Sequence, residues 1–202
     1  SYLSRFQTSF DIMLDFATFD LKIDLNTFYK MFLNSSICNL IQDGSSSVIA
    51  GKSGVELALE IIGDYSKKDL YKPTSNKSPI YWAGWALAYF HWYTSLKFAQ
   101  IEKYIPIDEI VSMELPYHEM DISQFTEHML TLYNTRKKET NLKEYRLKAN
   151  LSQRDLAQIT SIPLRTIQQY EQRQKNINNA KAQSLIVLAK TLKCNVEDLL
   201  ET

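Results

Sequence analysis

Glycine and proline are scarce in this 202-residue chain, at five each. A β-sandwich needs many tight turns, so the scarcity argues against one and leans toward helices. Cysteine is nearly absent: Cys38 and Cys194 stand far apart, both in segments that read as helix. Two such thiols suit a reducing compartment and exclude a disulfide framework. No secretory signal pattern is visible, and the chain starts at Ser1 rather than at a Met. Long apolar runs are missing too. In the aromatic region, the stretch from Ile80 to Leu96 is free of Asp, Glu, Lys and Arg and carries His91, three tyrosines and Thr94. A membrane span needs about 20 apolar residues, so a cytoplasmic protein with no membrane partner is expected.

Net charge is absent as well, but only in sum. Residues 141–202 hold ten Lys and Arg against six Asp and Glu, leaving thirteen against seventeen for residues 1–140. A basic C-terminal piece beside an acidic N-terminal one fits a polyanion binder joined to something else. What the chain has in plenty is aromatic: 12 Tyr, 9 Phe and 3 Trp.

Apolar residues at helical spacing (Leu3, Phe6, Phe10, Met13, Leu14, Phe19) predict a first helix over residues 1–19. Asp24 or Asn26 can cap a second helix that runs through Leu33 to Ile41 and stops at Asp43-Gly44. "GSSSVIAGKSG" reads as a polar loop and "VELALEII" as a short helix ended by Gly63. Residues 64–79 form a polar connector. Ser78-Pro79 then opens the aromatic helix "IYWAGWALAYFHWYTSL", since proline suits the first helical position. "IPIDEIVSM" and "DISQFTEHMLTLYNTRKK" predict further helices. "NTRKKETN", without Gly or Pro, is a seam that can prolong the helix before it.

"LSQRDLAQITSIPLRTIQQYE" (151–171) reads as a helix, an abrupt stop and a second helix. Ser152 with Asp155 makes a capping-box start. Leu156, Ala157 and Ile159 are expected to face inward, Ile162 to sit in the break, and Pro163 to fix the first turn of the new helix, with Ile167 and Tyr170 in its core. Helices joined so tightly cross steeply, the geometry that presents the second one to a major groove. Leu142, Tyr145 and Ala149 line a leading helix ended by Asn150. "AKAQSLIVLAKTL" gives a fourth helix with Ala182, Leu185, Ile186 and Ala189 inside, and Asn195 caps a fifth, "VEDLL", with Asp198 at its third position.

With Leu142, Arg146, "LSQRDLA", "IPLRTIQQYE", "LAKTL" and "VEDLL" at these spacings, residues 142–201 resemble the XRE-type helix-turn-helix domain of the lambda-repressor/Cro superfamily. The resemblance implies double-stranded DNA as partner. It implies base-edge readers at Leu164, Arg165, Gln168 and Gln169, and phosphate contacts from Gln153, with Arg154 and Thr166 beside it. The loop after the third helix would reach the other strand through Arg173, Lys175 and backbone N–H groups. An ion pair, Arg146 with Glu171, would brace the reading helix. Chemistry fits independently: Arg165 can donate twice to guanine O6/N7, a Gln can pair with adenine N6/N7, and Leu164 can touch a thymine methyl. Gln172-Arg173 departs from a frequent Asn-Gly, and Lys193 stands where Gly often ends the fourth helix.

Trp82, Trp85, Tyr89, Trp92 and Tyr93 recur at three- and four-residue intervals, one helical stripe. The plain reading is a core helix. The sharper one is a surface covered by a protein partner or second subunit, with Trp82, Trp85, Tyr89 and Trp92 as contacts. A small-molecule pocket comes third. Through "GKSGVELALEI", "YWAGWALAYF" and "PYHEMDISQF", the N-terminal half also resembles domains that precede helix-turn-helix units in bacterial regulators. These include antitoxins encoded beside toxins.

Catalysis finds little footing. "GKS" at Gly51–Ser53 fails as a phosphate loop because Ser46 stands where glycine is required, and a loop followed by an N-cap fits better. His118, Glu119, Asp121, Glu127 and His128 cluster in sequence, but the two histidines lie ten apart, off the spacing of a helical metal site. The expected protein is therefore all-α and not an enzyme, with no metal and no cofactor. A helical interaction or dimerisation domain (1–138) precedes a five-helix lambda-repressor-like DNA-binding domain (139–202). The expected function is a regulator, a repressor in the first instance, that acts as a homodimer. The alternative is an antitoxin whose N-terminal domain neutralises a toxin protein.

Overall fold

The computed structural model describes residues 1–73 and 77–202, the side chains at 46, 49 and 50 excepted. The described residues are helical with no strand, and the chain divides into two units, Ser1–Arg136 and Lys137–Thr202. That division falls inside the seam read from the sequence, two residues before the expected boundary. The seam does not prolong the helix before it: that helix ends at Arg136. The next one is capped by Thr140, whose side chain accepts from the Lys143 N–H at 3.3 Å.

In the N-terminal unit, α1 (Tyr2–Phe19) packs against α2 (Leu25–Leu33), α4 (Ser46–Gly51), α5 (Gly54–Ile62) and α6 (Pro79–Thr94), with α3 (Ser36–Gln42) beside α2 and α4. Phe6, Phe10, Met13, Leu14 and Phe16 of α1 are fully buried. Phe10 stacks on Phe98 at 5.1 Å and meets Phe32 edge-on at 5.2 Å. Burying each such ring contributes about 1.5–3 kcal/mol. Two glycines set the helix spacing. A Cβ on Gly84 would lie 2.7 Å from the Asp11 Cα, and one on Gly54 would lie 2.3 Å from the Ser9 carbonyl oxygen. The unit is completed by α7 (Phe98–Tyr104), α8 (Ile107–Ser112), α9 (Glu114–Tyr117) and α10 (Ile122–Arg136), which bury Ile101, Ile107, Phe125 and Met129.

Several local expectations hold. Ser53 caps α5 in a capping box with Glu56, Gly63 ends that helix at φ 72°, and Pro79 opens α6 behind the Ser78 cap. Others are corrected. The second helix is two helices, because Ser35 caps α3 through the Cys38 N–H and interrupts the run after Leu33. The polar loop contains α4, anchored by buried Val48. In the connector, Tyr65–Leu70 form a 3-10 helix, while residues 74–76 lie outside the described residues.

The aromatic helix is a core helix, but not through its stripe. Its buried residues are Ala83, Gly84, Ala86, Leu87, Ala88, Phe90 and His91; Trp82, Trp85 and Tyr89 are half-buried, and Trp92 is 50% exposed. Close approach to α1 leaves no room for a side chain at Gly84 itself, while Leu87 and His91 fill the same face further along and Trp92 and Tyr93 stay exposed. Neither cysteine is in a disulfide. Cys38 is buried, which pushes its thiol up to about 12, while Cys194 is only half-buried.

The C-terminal unit comprises α11 (Asn141–Lys148), α12 (Gln153–Thr160), α13 (Leu164–Glu171) and α14 (Ala182–Leu192), with 3-10 turns at Ile177–Asn179 and Val196–Leu199. The expected fifth helix is thus a single turn, held by an Asn195–Asp198 capping box. Leu142, Leu156, Ile167, Leu188, Leu192 and Leu199 form its core. Ile159 does not face inward: it is 57% exposed, because in so short a helix Leu156 and Thr160 take the narrow buried strip. Ala182 and Ile186 are likewise exposed, and Leu188 and Leu192 take their place beside Leu185 and Ala189.

Candidate nucleic-acid interface

The break between α12 and α13 is made by backbone rather than by proline alone. Ser161 adopts φ 57°, ψ 20°, which turns the chain out of α12. Thr160 spends its hydroxyl on the Leu156 carbonyl at 2.6 Å, and Ile162 is buried in the turn. Pro163 is the N-cap of α13, at φ −54° and ψ 133°, rather than its first helical residue. Proline offers no capping side chain, so of the first-turn N–H groups of α13 that of Thr166 donates to the Pro163 carbonyl at 2.8 Å, while those of Leu164 and Arg165 are left for solvent or an anion. At the start of α12 the Ser152–Asp155 capping box forms as expected, with bonds of 2.8 and 3.1 Å. The bonds from Ser152 hold the Asp155 carboxyl below its ordinary range.

The far end of α13 is pinned by charge. Glu171 is buried and accepts from Arg146 Nε at 2.6 Å, from Arg146 Nη2 at 2.8 Å and from Gln153 Nε2 at 2.7 Å. Arg146 also donates from Nη1 to the Leu151 carbonyl at 2.8 Å. The carboxylate raises the guanidinium's pKa further above its already high value. One acidic residue at the end of α13 thus gathers the ends of α11 and α12, a fork-to-fork geometry that fixes orientation as well as distance. Gln153 belongs to this brace, a role that its expected place at a phosphate did not reveal.

With Ile167, Tyr170 and Glu171 turned inward, Arg165 and Gln169 lie on the opposite side of α13, and Leu164 and Gln168 on its flank. Arg165 is exposed, and Leu164, Gln168 and Gln169 are half-buried. Among the described residues none of these polar side chains has a hydrogen-bond partner within the chain. Thr166 is half-buried, and Arg154 is exposed on α12.

The loop after α13 differs from expectation. The N–H groups of residues 172–175 all donate within the chain, those of Gln174 and Lys175 both to the Gln169 carbonyl at 2.9 and 3.1 Å. They are not open to phosphate. Arg173, at φ 56°, donates from Nη1 to the Lys138 carbonyl at 3.1 Å and from Nη2 to the Lys137 carbonyl at 3.2 Å. It is therefore engaged inside its own unit. Lys175 stays exposed, its ammonium 5.9 Å from the Tyr170 ring centroid. Nothing in the sequence signalled these internal acceptors, because they come from a segment 35 residues away.

The other residues weighed for chemistry stay scattered. His118 bonds through Nδ1 to the Glu114 carbonyl of its own turn (3.0 Å), and His128 stacks on Tyr117. Among the described residues no three His, Cys, Asp or Glu side chains gather as a metal site, and no helix is long and apolar enough to cross a membrane. The stripe of α6 divides: Trp82 and Trp85 pack against the core, while Tyr89, Trp92 and Tyr93 form a separate ring cluster at 5.8 and 6.1 Å.

No curated protein and no solved structure matches the chain. Residues 142–199 match the family model described as helix-turn-helix. The C-terminal unit is an XRE-type helix-turn-helix domain, a DNA-binding regulatory module.

Proposed function

We propose that the chain is a sequence-specific transcriptional regulator that docks α13 in the major groove. Leu164, Arg165, Gln168 and Gln169 read base edges, while Gln153, Arg154, Thr166 and Lys175 lie along phosphates. The observation that carries this is the contrast across α13. One side is locked to its scaffold by the buried Arg146–Glu171 pair, and the rest presents Arg165, Gln168 and Gln169 with their hydrogen bonds unspent. A single module of this kind buries roughly 600–1,000 Å² against DNA. Useful specificity therefore calls for a homodimer on a pseudo-palindrome with half-sites about 34 Å apart, acting as a repressor in the cytoplasm.

The N-terminal unit supports a second reading. Trp92 and Tyr93 are 50% and 58% exposed beside Tyr89, an aromatic surface suited to a partner protein such as a toxin that the chain would neutralise. Selecting bound duplexes from a random library with the full chain tests the first reading. An enriched two-fold motif is expected, and Arg165→Ala should relax preference at one base pair by about 1–3 kcal/mol. Failure to enrich any sequence, or equal loss on every duplex, would refute base reading.

A further inference from the structure

A hollow of about 260 Å³ lies between α6 and α9 in the N-terminal unit, lined by Lys77, Tyr81, Trp82, Trp85, Glu114 and His118. Spacings of three and four residues put the three rings on one side of α6. Their positions are fixed from behind. Trp82 meets the buried Phe125 edge-on at 5.3 Å, and Tyr81, whose backbone N–H donates to the Ser78 cap at 3.0 Å, lies beside the buried Asp11. Among the described residues neither the Trp82 nor the Trp85 indole N–H has a partner in the chain. Charge of both signs reaches the same space. Lys77 holds its ammonium 4.8 Å from the Tyr81 ring centroid, and Glu114, with only 23% of its side chain exposed, faces it from α9. His118, bonded to the Glu114 carbonyl at 3.0 Å, closes the wall.

We propose that this hollow binds a small aromatic zwitterion, of the chemical class of an aromatic α-amino acid. Ring walls take a planar ring by stacking. Glu114 offers only acceptors, and Lys77 only donors. A ligand carrying both an ammonium and a carboxylate satisfies the pair, whereas a singly charged one leaves one wall residue facing a like charge. The volume falls just below the roughly 300–1,000 Å³ common for ligand sites, which limits the occupant to one ring system. The site stands on the N-terminal unit alone and is independent of the duplex reading.

Titration calorimetry on the full chain, with L-tryptophan, L-phenylalanine, tryptamine and indole-3-propionate as probes, tests it. Saturable heat is expected for at least one of the two amino acids, with tryptamine and indole-3-propionate each at least tenfold weaker. Glu114→Gln and Lys77→Met are both partly exposed changes that leave the thermal transition in place, and each should weaken amino-acid binding about tenfold. Glu114→Gln should also narrow the gap to indole-3-propionate, and Lys77→Met the gap to tryptamine. No saturable heat with either amino acid at millimolar concentration overturns the proposal. So does tryptamine or indole-3-propionate binding as tightly as the amino acids, or binding indifferent to both substitutions.

Discussion

Arg146 and Glu171 meet as a buried fork, at 2.6 and 2.8 Å, with 7% and 2% of their side chains exposed. Removing one partner of such a pair strands the other charge in the interior, at a cost of about 3–5 kcal/mol. Glu171→Ala should therefore unfold the C-terminal unit in milder urea, and Arg146→Met with Glu171→Met should cost less than Glu171→Ala alone. All three tryptophans lie in the N-terminal unit, so the loss should show in far-ultraviolet circular dichroism while tryptophan fluorescence holds. A fluorescence transition that shifts in step would contradict the assignment.

Arg173 makes a different case, because its guanidinium is spent on the Lys137 and Lys138 carbonyls. Each phosphate contact contributes about 0.9 to the slope of log affinity against log salt on duplex DNA. Lys175→Ala should lower that slope by about 0.9. Arg173→Ala should leave the slope unchanged and weaken binding only through a looser loop. Equal slope changes for the two variants would show that Arg173 leaves its carbonyls for a phosphate.

These residues also mark how far local sequence signals reach. The helix-turn-helix was legible because its signals are local: the Ser152–Asp155 box, the apolar spacing of Leu156, Ile167 and Tyr170, and Asn150 at φ 55° all sit within a turn or two of what they determine. Arg173 and Lys193 adopt φ 56° and 54° where glycine would be unstrained, so the departures noted in the sequence kept the turn and accepted its strain. Long-range facts were hidden. Ile159 and Ile186 look like core residues by type, yet which face of an eight- or eleven-residue helix is buried depends on neighbours contributed elsewhere in the chain. The α6 stripe misled for the same reason: the backbone of α1, distant in sequence, decides that the Gly84 side goes inside.

That contact gives a prediction of its own. At Gly84 an added methyl group would meet the Asp11 backbone at 2.7 Å, with the Asp11 N and Phe10 O both at 3.2 Å. Backbone cannot rotate away as a side chain can, so α1 and α6 must separate. Gly84→Ala should destabilise the N-terminal unit by about 1–3 kcal/mol or more, despite alanine's better helix propensity. Tryptophan-detected thermal unfolding reads it directly, and a rise in the midpoint would show that the helices are looser than this spacing requires.

Asp11 also sets a pH dependence whose sign can be worked out. It is 1% exposed, one of its carboxyl oxygens has no hydrogen-bond partner, and burial pushes its carboxyl from 3.8 up to about 7, against the lowering effect of nearby Tyr81. In the unfolded chain the group loses its proton near pH 4, whereas in the fold it keeps it until about pH 7. Between those values the folded state binds more protons, so Asp11 favours folding fully below about pH 4, and that contribution fades as pH rises to about 7. At most about 1.4 kcal/mol is lost per pH unit crossed. Asp11→Asn, which cannot ionise, should remove this dependence. Relative to the parent its stability should climb between about pH 4 and 7 and then level off. Glu102, also pushed up to about 7 by burial, titrates in the same window in both proteins and cancels in the difference. A difference that stays flat across that window would mean Asp11 is already ionised in the fold, with water or a cation reaching it between α1 and α6.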